Sequence, residues 1–170
     1  LNECAGILQY CQECFEGLKA YTTEDGSIVT FRPDLNAERM MDSACRLEMP
    51  VFPRERFLKA LDQVVKANAA WVPPYGSGAT LYIRPYMFAS GPVIGVKPSD
   101  EYQFRMFVTP VGPYFKGGAK PITLCVSDFD RAAPHGTGHV KAGLNYAMSL
   151  HAHETAHASG FDEKIGRAHV

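Results

Sequence analysis

The sequence lacks both a long apolar run and an excess of either charge. No stretch approaches the roughly 18 consecutive apolar residues of a membrane span, and no segment resembles a signal peptide. Its 17 Lys and Arg residues nearly balance 18 Asp and Glu residues, which leaves a net charge of −1. Because no basic block is available to neutralise phosphates, nucleic-acid binding is not favoured. We therefore expect neither a membrane nor a nucleic acid as a partner.

Cysteine is also scarce, with five irregularly spaced residues. An odd number in a chain this rich in apolar residues does not indicate a disulfide framework, and it favours a reducing compartment. Cys11 and Cys14 form a C-x-x-C, but the sequence lacks the second pair of a zinc site and the βαβ context of a redox motif. We predict a cytoplasmic protein in which these two thiols lie half-buried beside a strand.

What the sequence does contain is the periodicity of a mixed α/β (α+β) protein, with 46% hydrophobic residues. An Asp-Gly turn between two β-branched runs predicts a hairpin, and two prolines each precede apolar residues at helical spacing. The elements predicted in this way are a hairpin over residues 17–31, helices from Pro33 to Leu47 and from Pro53 onward, strands over 79–89, 101–111 and 122–127, and a last helix from about Asn145 to Ser159 that Gly160 ends.

Glycine and proline clusters suggest how the chain is divided. The segment GPYFKGGAKP, residues 112–121, is the best linker candidate. We expect residues 1–111 to form a small N-terminal α/β domain and residues 122–164 to begin a larger second domain. The chain does not start with Met, and residues 165–170, IGRAHV, match one reading frame of a common sequencing adapter. We therefore expect a fragment with a non-native tail, and leave that tail out of the fold prediction.

Lys141 stands in the stretch HVKAGLNY, just before the last predicted helix. A lysine before a helix is most often a solvated surface residue. Its amine, however, shifts pKa readily when it loses water, and the neutral form can make a Schiff base with an aldehyde cofactor. The residue type alone leaves both interpretations open.

Six segments together are similar to one known family. QYCQECFEGLKAY, FRPDLNAERM, SACRLEMP, LYIRPY, PVGPYF and KAGLNY occur in this order and spacing. They resemble the branched-chain amino acid aminotransferases, fold type IV enzymes that use pyridoxal 5′-phosphate, and the resemblance covers nearly all of residues 7–164. It implies a fold type IV protein acting on leucine, isoleucine and valine, with 2-oxoglutarate as the acceptor.

The resemblance also implies roles for individual residues. Lys141 corresponds to the lysine that holds the cofactor aldehyde as an aldimine and moves the proton between the substrate Cα and the cofactor. Arg39 corresponds to the phosphate-binding arginine. A guanidinium suits this role because it can bind two phosphate oxygens at once. Tyr146 corresponds to the tyrosine that hydrogen-bonds the phenolic oxygen of the cofactor ring.

Substrate recognition requires an apolar pocket and a grip on a carboxylate. By resemblance, aromatic residues wall the pocket, two arginines lie near it, and three residues reach it from a second subunit of an obligate homodimer. These sets are Phe15, Tyr82 and Tyr114; Arg84 and Arg131; and Tyr10, Ile94 and Val96.

The sequence departs from the family pattern in two ways. Leu144 replaces a glycine of the usual K-x-G-G-N-Y. The E-x-G-x-x-N-x-F segment, which supplies the acidic partner of the pyridine nitrogen, does not occur within the 170 residues, and neither do the downstream amides that help to hold the phosphate. We therefore expect these residues alone not to catalyse transamination.

Other functions remain open on the sequence. HETAH, His153 to His157, is a literal H-E-x-x-H, the metal-binding motif of zinc hydrolases, although the third ligand is missing and we predict no metal site. Within the same fold, a D-amino acid aminotransferase or an aminodeoxychorismate lyase would share the lysine chemistry. A non-enzymatic module with an exposed apolar surface is a further alternative.

Overall fold

One ten-residue strand, β4 (Thr80–Ala89), organises the fold. Its residues alternate between buried and partly exposed along most of its length, as expected for a strand with a different environment on each face. In the computed structural model, which describes residues 1–113, 120–130 and 135–167, β4 pairs antiparallel with β1, β2 and β5. β5 runs along one whole edge of β4, so β1 and β2 share the other edge.

The elements follow in chain order. They are α1 (Gly6–Tyr10), β1 (Glu13–Phe15), β2 (Leu18–Thr22), β3 (Ile28–Thr30), α2 (Pro33–Arg46), α3 (Arg54–Ala67), a 3₁₀ turn (Ala69–Trp71), β4, β5 (Tyr102–Val111), β6 (Leu124–Asp130), α4 (Gly143–Ala147), α5 (Leu150–Ala158) and β7 (Glu163–Arg167). β1 to β5 form one antiparallel sheet, and β6 pairs with β7 in parallel. The predicted mixed α/β class is confirmed.

The hydrophobic core lies between α2, α3 and one face of the five-stranded sheet. Both helices are amphipathic, and α2 carries a proline in its first turn, where the missing N–H costs nothing. Two clusters of buried side chains make up this layer: Cys14, Ala37, Met40, Ala44, Met49, Phe57 and Met87; and Leu18, Ala20, Leu61, Leu81 and Ile83. The other face of the sheet is left free to carry side chains with other roles.

The loop that carries Lys141 and the helix α4 lie over that other face. The loop before α4 hydrogen-bonds to both β1 and α2, and α5 contacts β6 and β7. The last predicted helix is wrong as a single element. Helix α4 ends at Ala147 and α5 starts at Leu150, because residues 148–149 make a turn. The end at Gly160 is confirmed, with φ of +83°.

Most other elements agree with the sequence prediction. The hairpin, both amphipathic helices and the strands of the sheet are confirmed, whereas α1 was not anticipated. Cys11 is exposed and Cys14 fully buried, so the prediction of two half-buried thiols is wrong for both. Ile165 lies within β7, although it was left out of the fold prediction. The domain boundaries stay a prediction, and residues 114–119 of the proposed linker lie outside the described residues.

Within the part of the chain that the structure describes, no helix is both long and apolar enough to cross a membrane.

Candidate active site

A cavity of about 590 Å³ lies between the free face of the sheet and the loop that carries Lys141. The sheet contributes side chains from alternate positions of β1, β4 and β5, and the loop and α4 close the other side. The lining residues are Glu13, Phe15, Tyr82, Arg84, Tyr86, Phe107, Lys141, Gly143 and Tyr146. Aromatic rings and charged groups therefore meet in one open cleft.

The Lys141 side chain points into this cavity. Its Nζ donates a hydrogen bond to the Tyr146 hydroxyl at 2.8 Å. The same nitrogen lies 4.9 Å from the centre of the Phe15 ring and 5.2 Å from that of Tyr146. The two rings are themselves in contact, with centroids 5.1 Å apart. The amine is thus held between two aromatic side chains, where the ring faces attract its positive charge.

The backbone of Lys141 is anchored on both sides. Its N–H donates to Ser43 Oγ of α2 at 3.2 Å, and its carbonyl accepts the N–H of Phe15 in β1 at 3.0 Å. Ser43 is only 2% exposed, so the hydroxyl and the amide satisfy each other away from water. These two bonds connect Lys141 directly to helix α2 and to the five-stranded sheet.

The loop that precedes Lys141 is shaped by Asn145, which is fully buried. The Asn145 side-chain amide donates to the carbonyls of Thr137 and Val140, at 2.7 and 2.8 Å. Its oxygen accepts the Thr137 hydroxyl at 3.2 Å. The Asn145 side chain therefore holds the irregular segment before Lys141 through three hydrogen bonds.

Glu13 of β1 reaches the other end of the loop. Its carboxylate accepts the N–H of Gly143, where the chain enters α4. Burial raises the pKa of the Glu13 carboxyl, although the Gly143 amide and the positive charge of Arg84 act in the opposite direction. The group is thus a carboxylate kept in a poorly hydrated place by specific partners.

Arg39 lies on α2, one helical turn before Ser43. Its Nε and Nη2 donate to the two oxygens of Glu16 at 2.6 and 2.7 Å, and Asn36 adds a third bond to the same carboxylate at 2.7 Å. The hydrogen bond to Glu16 raises the pKa of Arg39, and a smaller contribution comes from Tyr146. Glu16 is fully buried but the Arg39 side chain is 53% exposed. The remaining N–H groups of the guanidinium can still meet an anion.

Arg84 is held on the sheet side of the cavity. Its Nε and Nη2 donate to the Tyr82 hydroxyl at 3.1 and 2.7 Å, and its guanidinium lies 4.3 Å from the centre of the Phe15 ring. Gly17 lies against Tyr82, since a Cβ at position 17 would collide with the Tyr82 hydroxyl. The positive charge of Arg84 therefore lies over the Phe15 ring.

The structure brings together five of the residues singled out in the sequence, and their roles stay predictions. Phe15, Tyr82, Arg84, Lys141 and Tyr146 all line the cavity.

Arg39 lies beside that group, through Glu16 and within electrostatic reach of Tyr146. Tyr10, Ile94 and Val96 are exposed side chains outside the cavity lining, which fits but does not test a role towards a second subunit. Tyr114 and Arg131 lie outside the described residues.

Four polar residues that hold the site were missed in the sequence: Glu13, Glu16, Ser43 and Asn145. All four lie within the segments that carry the family resemblance, and polar residues at otherwise apolar spacing are the signal that could have found them. Ser43, for example, follows Arg39 by four residues and therefore shares its helix face.

The HETAH motif lies on α5, away from the cavity. His153 Nδ1 is 2.9 Å from Glu163 Oε1 of β7, and the rings of His153 and His157 are 4.4 Å apart between centroids. In residues 1–113, 120–130 and 135–167, no group of three or more His, Cys, Asp or Glu side chains could hold a metal ion.

Comparison with known proteins gives consistent matches. A family model described as amino-transferase class IV matches residues 13–167. The chain is 54% identical over 164 residues to a branched-chain-amino-acid aminotransferase of Haemophilus influenzae, and 50% identical over 167 residues to one of Helicobacter pylori. These alignments cover 96% and 97% of this chain but 48% and 49% of those proteins. The chain thus spans about half the length of the curated relatives it matches.

Solved structures give the same picture. The branched-chain amino acid aminotransferase of Escherichia coli matches with a TM-score of 0.78 and 27% identity, over 98% of this chain and 54% of that one. The T.th. enzyme complexed with N-(5′-phosphopyridoxyl)-L-glutamate matches with a TM-score of 0.78 and 28% identity, over 97% of this chain and 52% of that one. The predicted fold type IV architecture is therefore confirmed.

Proposed function

Since this chain belongs to the amino-transferase class IV family, we propose that it forms half of a branched-chain amino acid aminotransferase that depends on pyridoxal 5′-phosphate. One observation carries the proposal. The Lys141 amine projects into a cavity lined by Phe15, Arg84 and Tyr146, and it is positioned there by three other elements of the fold.

The residues present fit this cofactor. The cavity volume lies within the usual range for small-molecule sites, roughly 300–1,000 Å³. An amine that can bind an aldehyde stands next to a tyrosine hydroxyl that can bond a phenolic oxygen. Arg39 retains N–H groups for a phosphate after its contact with Glu16. We propose that Lys141, Tyr146 and Arg39 hold these three parts of the cofactor.

When bound, pyridoxal phosphate supplies an aldehyde that condenses with amines and a ring that withdraws electrons from the substrate Cα. Lys141 Nζ is the group on this chain that can remove and return the Cα proton, and it must be uncharged to do so. The Tyr146 hydroxyl, which accepts the Nζ hydrogen bond, directs the amine towards the cavity. Phe15 and Tyr82 exclude water and offer apolar contact to a branched side chain, and Arg84 offers positive charge to a carboxylate.

The substrates we propose are leucine, isoleucine and valine, with 2-oxoglutarate as the acceptor in a ping-pong sequence. The aromatic lining together with Arg84 supports a site that takes both apolar and acidic side chains. We further propose a homodimer in which Tyr10, Ile94 and Val96 of one subunit complete the site of the other. Tyr114 and Arg131 remain proposed substrate contacts.

We infer a cytoplasmic location, supported by the five free cysteines. Because the matched relatives are about twice as long, we also propose that these 170 residues are inactive alone.

The test uses the full-length dimeric protein. After incubation with pyridoxal phosphate and reduction with borohydride, peptide mass spectrometry should find the phosphopyridoxyl group on Lys141. Lys66→Ala, which changes an exposed lysine of α3 on the other side of the sheet, should label as the wild type does. Retention of the label in Lys141→Ala, or labelling of another lysine in the wild type, would refute the proposal. Spectral change with L-leucine but not with D-leucine separates this function from a D-amino acid aminotransferase.

A further inference from the structure

Three anchors fix the lysine loop, and they differ in kind. The Lys141 carbonyl bonds to a backbone amide, and the Lys141 amide bonds to a neutral hydroxyl on Ser43. The third anchor, at Gly143, is a carboxylate from Glu13. It lies on the side where the chain turns into α4, which carries the tyrosine that receives the lysine amine. Gly143 lies between Lys141 and Tyr146 in the chain, so a displacement of Gly143 would change the geometry of the hydrogen bond between them.

Glu13 occupies an unfavourable place for a carboxylate. It is partly buried at the end of the cavity, and loss of water raises its pKa. A hydroxyl or an amide could accept the same N–H without that desolvation cost. The carboxylate also faces the cavity that holds two cationic side chains, Lys141 and Arg84. The positive charge of Arg84 favours the carboxylate form of this acceptor, and an amide oxygen on a side chain of the same length could accept the N–H as well.

Gly143 is matched to this acid. A Cβ at position 143 would collide with the Glu13 carboxylate. The amide of residue 143 can therefore approach the acid closely only because no side chain intervenes. The two positions form one contact between β1 and the start of α4.

We propose that Glu13 is a positioning residue for the reaction at Lys141: by binding the Gly143 amide it keeps the lysine amine directed between Phe15 and Tyr146. This inference rests on the proposed function, which assigns the reaction to Lys141. Glu13 does not itself exchange protons with the substrate. Its contribution is the geometry of the amine, and a displacement of about 1 Å in such a group can cost roughly a hundredfold in rate.

The first experiment compares Glu13→Ala, Glu13→Gln and the control Glu24→Gln, which alters an exposed acid in the hairpin turn, in the full-length holoenzyme. Glu13→Ala should lower kcat with L-leucine by about 10- to 100-fold and change KM by less than about threefold. Glu13→Gln should recover kcat to within about fivefold of wild type, because its amide oxygen can accept the same N–H. Glu24→Gln should match wild type.

A second readout does not depend on activity. In the cofactor-free protein, acylation of Lys141 by a small amine reagent, followed by peptide mass spectrometry across pH, should change several-fold in Glu13→Ala and much less in Glu13→Gln. Acylation of Lys66, an exposed lysine of α3, is the internal control and should stay constant. A Glu13→Ala protein with unchanged kcat and unchanged Lys141 acylation would overturn the inference. Equal losses of kcat in Glu13→Ala and Glu13→Gln, accompanied by a lower unfolding midpoint in both, would overturn it as well.

The third experiment tests the contact itself. Gly143→Ala should lower kcat by more than about tenfold, whereas adding Gly143→Ala to Glu13→Ala should cause little further loss, since the collision is gone. Losses that simply multiply would contradict the contact. If borohydride fixes no cofactor on wild-type Lys141, the proposed function fails, while the acylation rates of the cofactor-free protein still decide whether Glu13 positions the amine.

Discussion

The two walls of the cavity are built in different ways. The sheet wall carries Phe15, Tyr82 and Arg84 on strands whose backbones are paired along their length. The lysine wall carries Lys141 on an irregular loop and Tyr146 on a five-residue helix. In the sheet wall, each strand is held by many equivalent backbone hydrogen bonds. In the lysine wall a few polar side chains, from Glu13, Ser43 and Asn145, hold the chain one bond at a time.

This difference predicts where the protein is vulnerable. Removing one polar side chain from the sheet wall leaves its backbone ladder intact. Removing one from the lysine wall takes hydrogen bonds away from the backbone, and a buried backbone group that loses its partner costs about 1–3 kcal/mol. Five predictions sharpen this comparison, from the largest expected effect to the smallest.

The largest expected effect is in thiol reactivity, because Cys14 of β1 lies in the core on the side of the sheet that faces away from the cavity. Burial raises the pKa of Cys14 to about 12. At pH 8 its thiolate fraction is then about 10⁻⁴, against roughly a quarter for an ordinary cysteine. We expect alkylation by iodoacetamide to be more than about 1,000-fold slower at Cys14 than at the exposed Cys11 and Cys45, measured by peptide mass spectrometry. Denatured protein should label all sites at similar rates.

The same shift has a consequence for stability. Because the folded pKa of Cys14 is raised, its thiol stays protonated in the folded chain, while in the unfolded chain it ionises near the ordinary cysteine pKa of 9.0. The free energy of unfolding should therefore fall as pH rises from about 9 towards 12. Cys14→Ala should remove this component of the decline. Rapid alkylation of Cys14 at pH 8 would show that the sheet wall opens.

Asn145→Ala should be the most destabilising single change in the lysine wall. It removes the side-chain bonds to the carbonyls of Thr137 and Val140, each of which keeps one backbone N–H donor, and it removes the acceptor of the Thr137 hydroxyl. Because it also leaves a void at a fully buried position, we expect a loss of about 2–3 kcal/mol in the free energy of unfolding, measured by urea titration. The matched change in the sheet wall is Thr109→Ala, an exposed residue of β5, which should cost less than about 0.5 kcal/mol. Equal losses for the two would remove the contrast between the walls.

Glu16→Gln should have an intermediate effect, since Glu16 is fully buried and its partners, Arg39 and Asn36, lie on α2. The variant keeps the shape of the side chain but removes the charge that pairs with Arg39, and it leaves one acceptor oxygen where Arg39 and Asn36 use two. We expect a loss of about 1–2 kcal/mol by urea titration, together with weaker retention of pyridoxal phosphate in dialysis, because Arg39 is no longer held in place. Unchanged retention of pyridoxal phosphate would mean that the ion pair between Glu16 and Arg39 does not contribute to cofactor binding.

Tyr82→Phe should have the smallest effect. It removes the hydroxyl that accepts two N–H groups of Arg84, but both side chains are partly exposed and the strand is unaffected. We expect less than about 1 kcal/mol in stability and a KM for 2-oxoglutarate within a few-fold of wild type. A loss as large as that of Asn145→Ala would mean that the sheet wall also depends on single side chains.

The sequence was sufficient for the sheet wall and its helices, because their signals are local. An Asp-Gly turn, a proline at a helix start and the apolar and aromatic run of β4 are all read from neighbouring residues. The family resemblance added Phe15, Tyr82, Arg84, Lys141 and Tyr146, which the structure gathers at one cavity.

The anchors of the lysine wall could not be predicted in the same way. Ser43 and Lys141 are 98 residues apart, and Glu13 and Gly143 are 130 apart. No periodicity connects such positions, and a buried polar residue looks locally like any other departure from a pattern. The turn at residues 148–149 and the short helix α1 were missed for a related reason, since neither is long enough to set a period.

The alternation along β4 limits how this protein can change. Leu81, Ile83 and Met87 belong to the core, while Tyr82, Arg84 and Tyr86 face the cavity. Inserting or deleting a single residue in this strand would exchange the two sets. The Arg84 guanidinium would then face the hydrophobic core, and aliphatic side chains would face the cavity. Within this strand, the cavity can therefore be altered by replacement at positions 82, 84 and 86, but not by a change in the length of the strand.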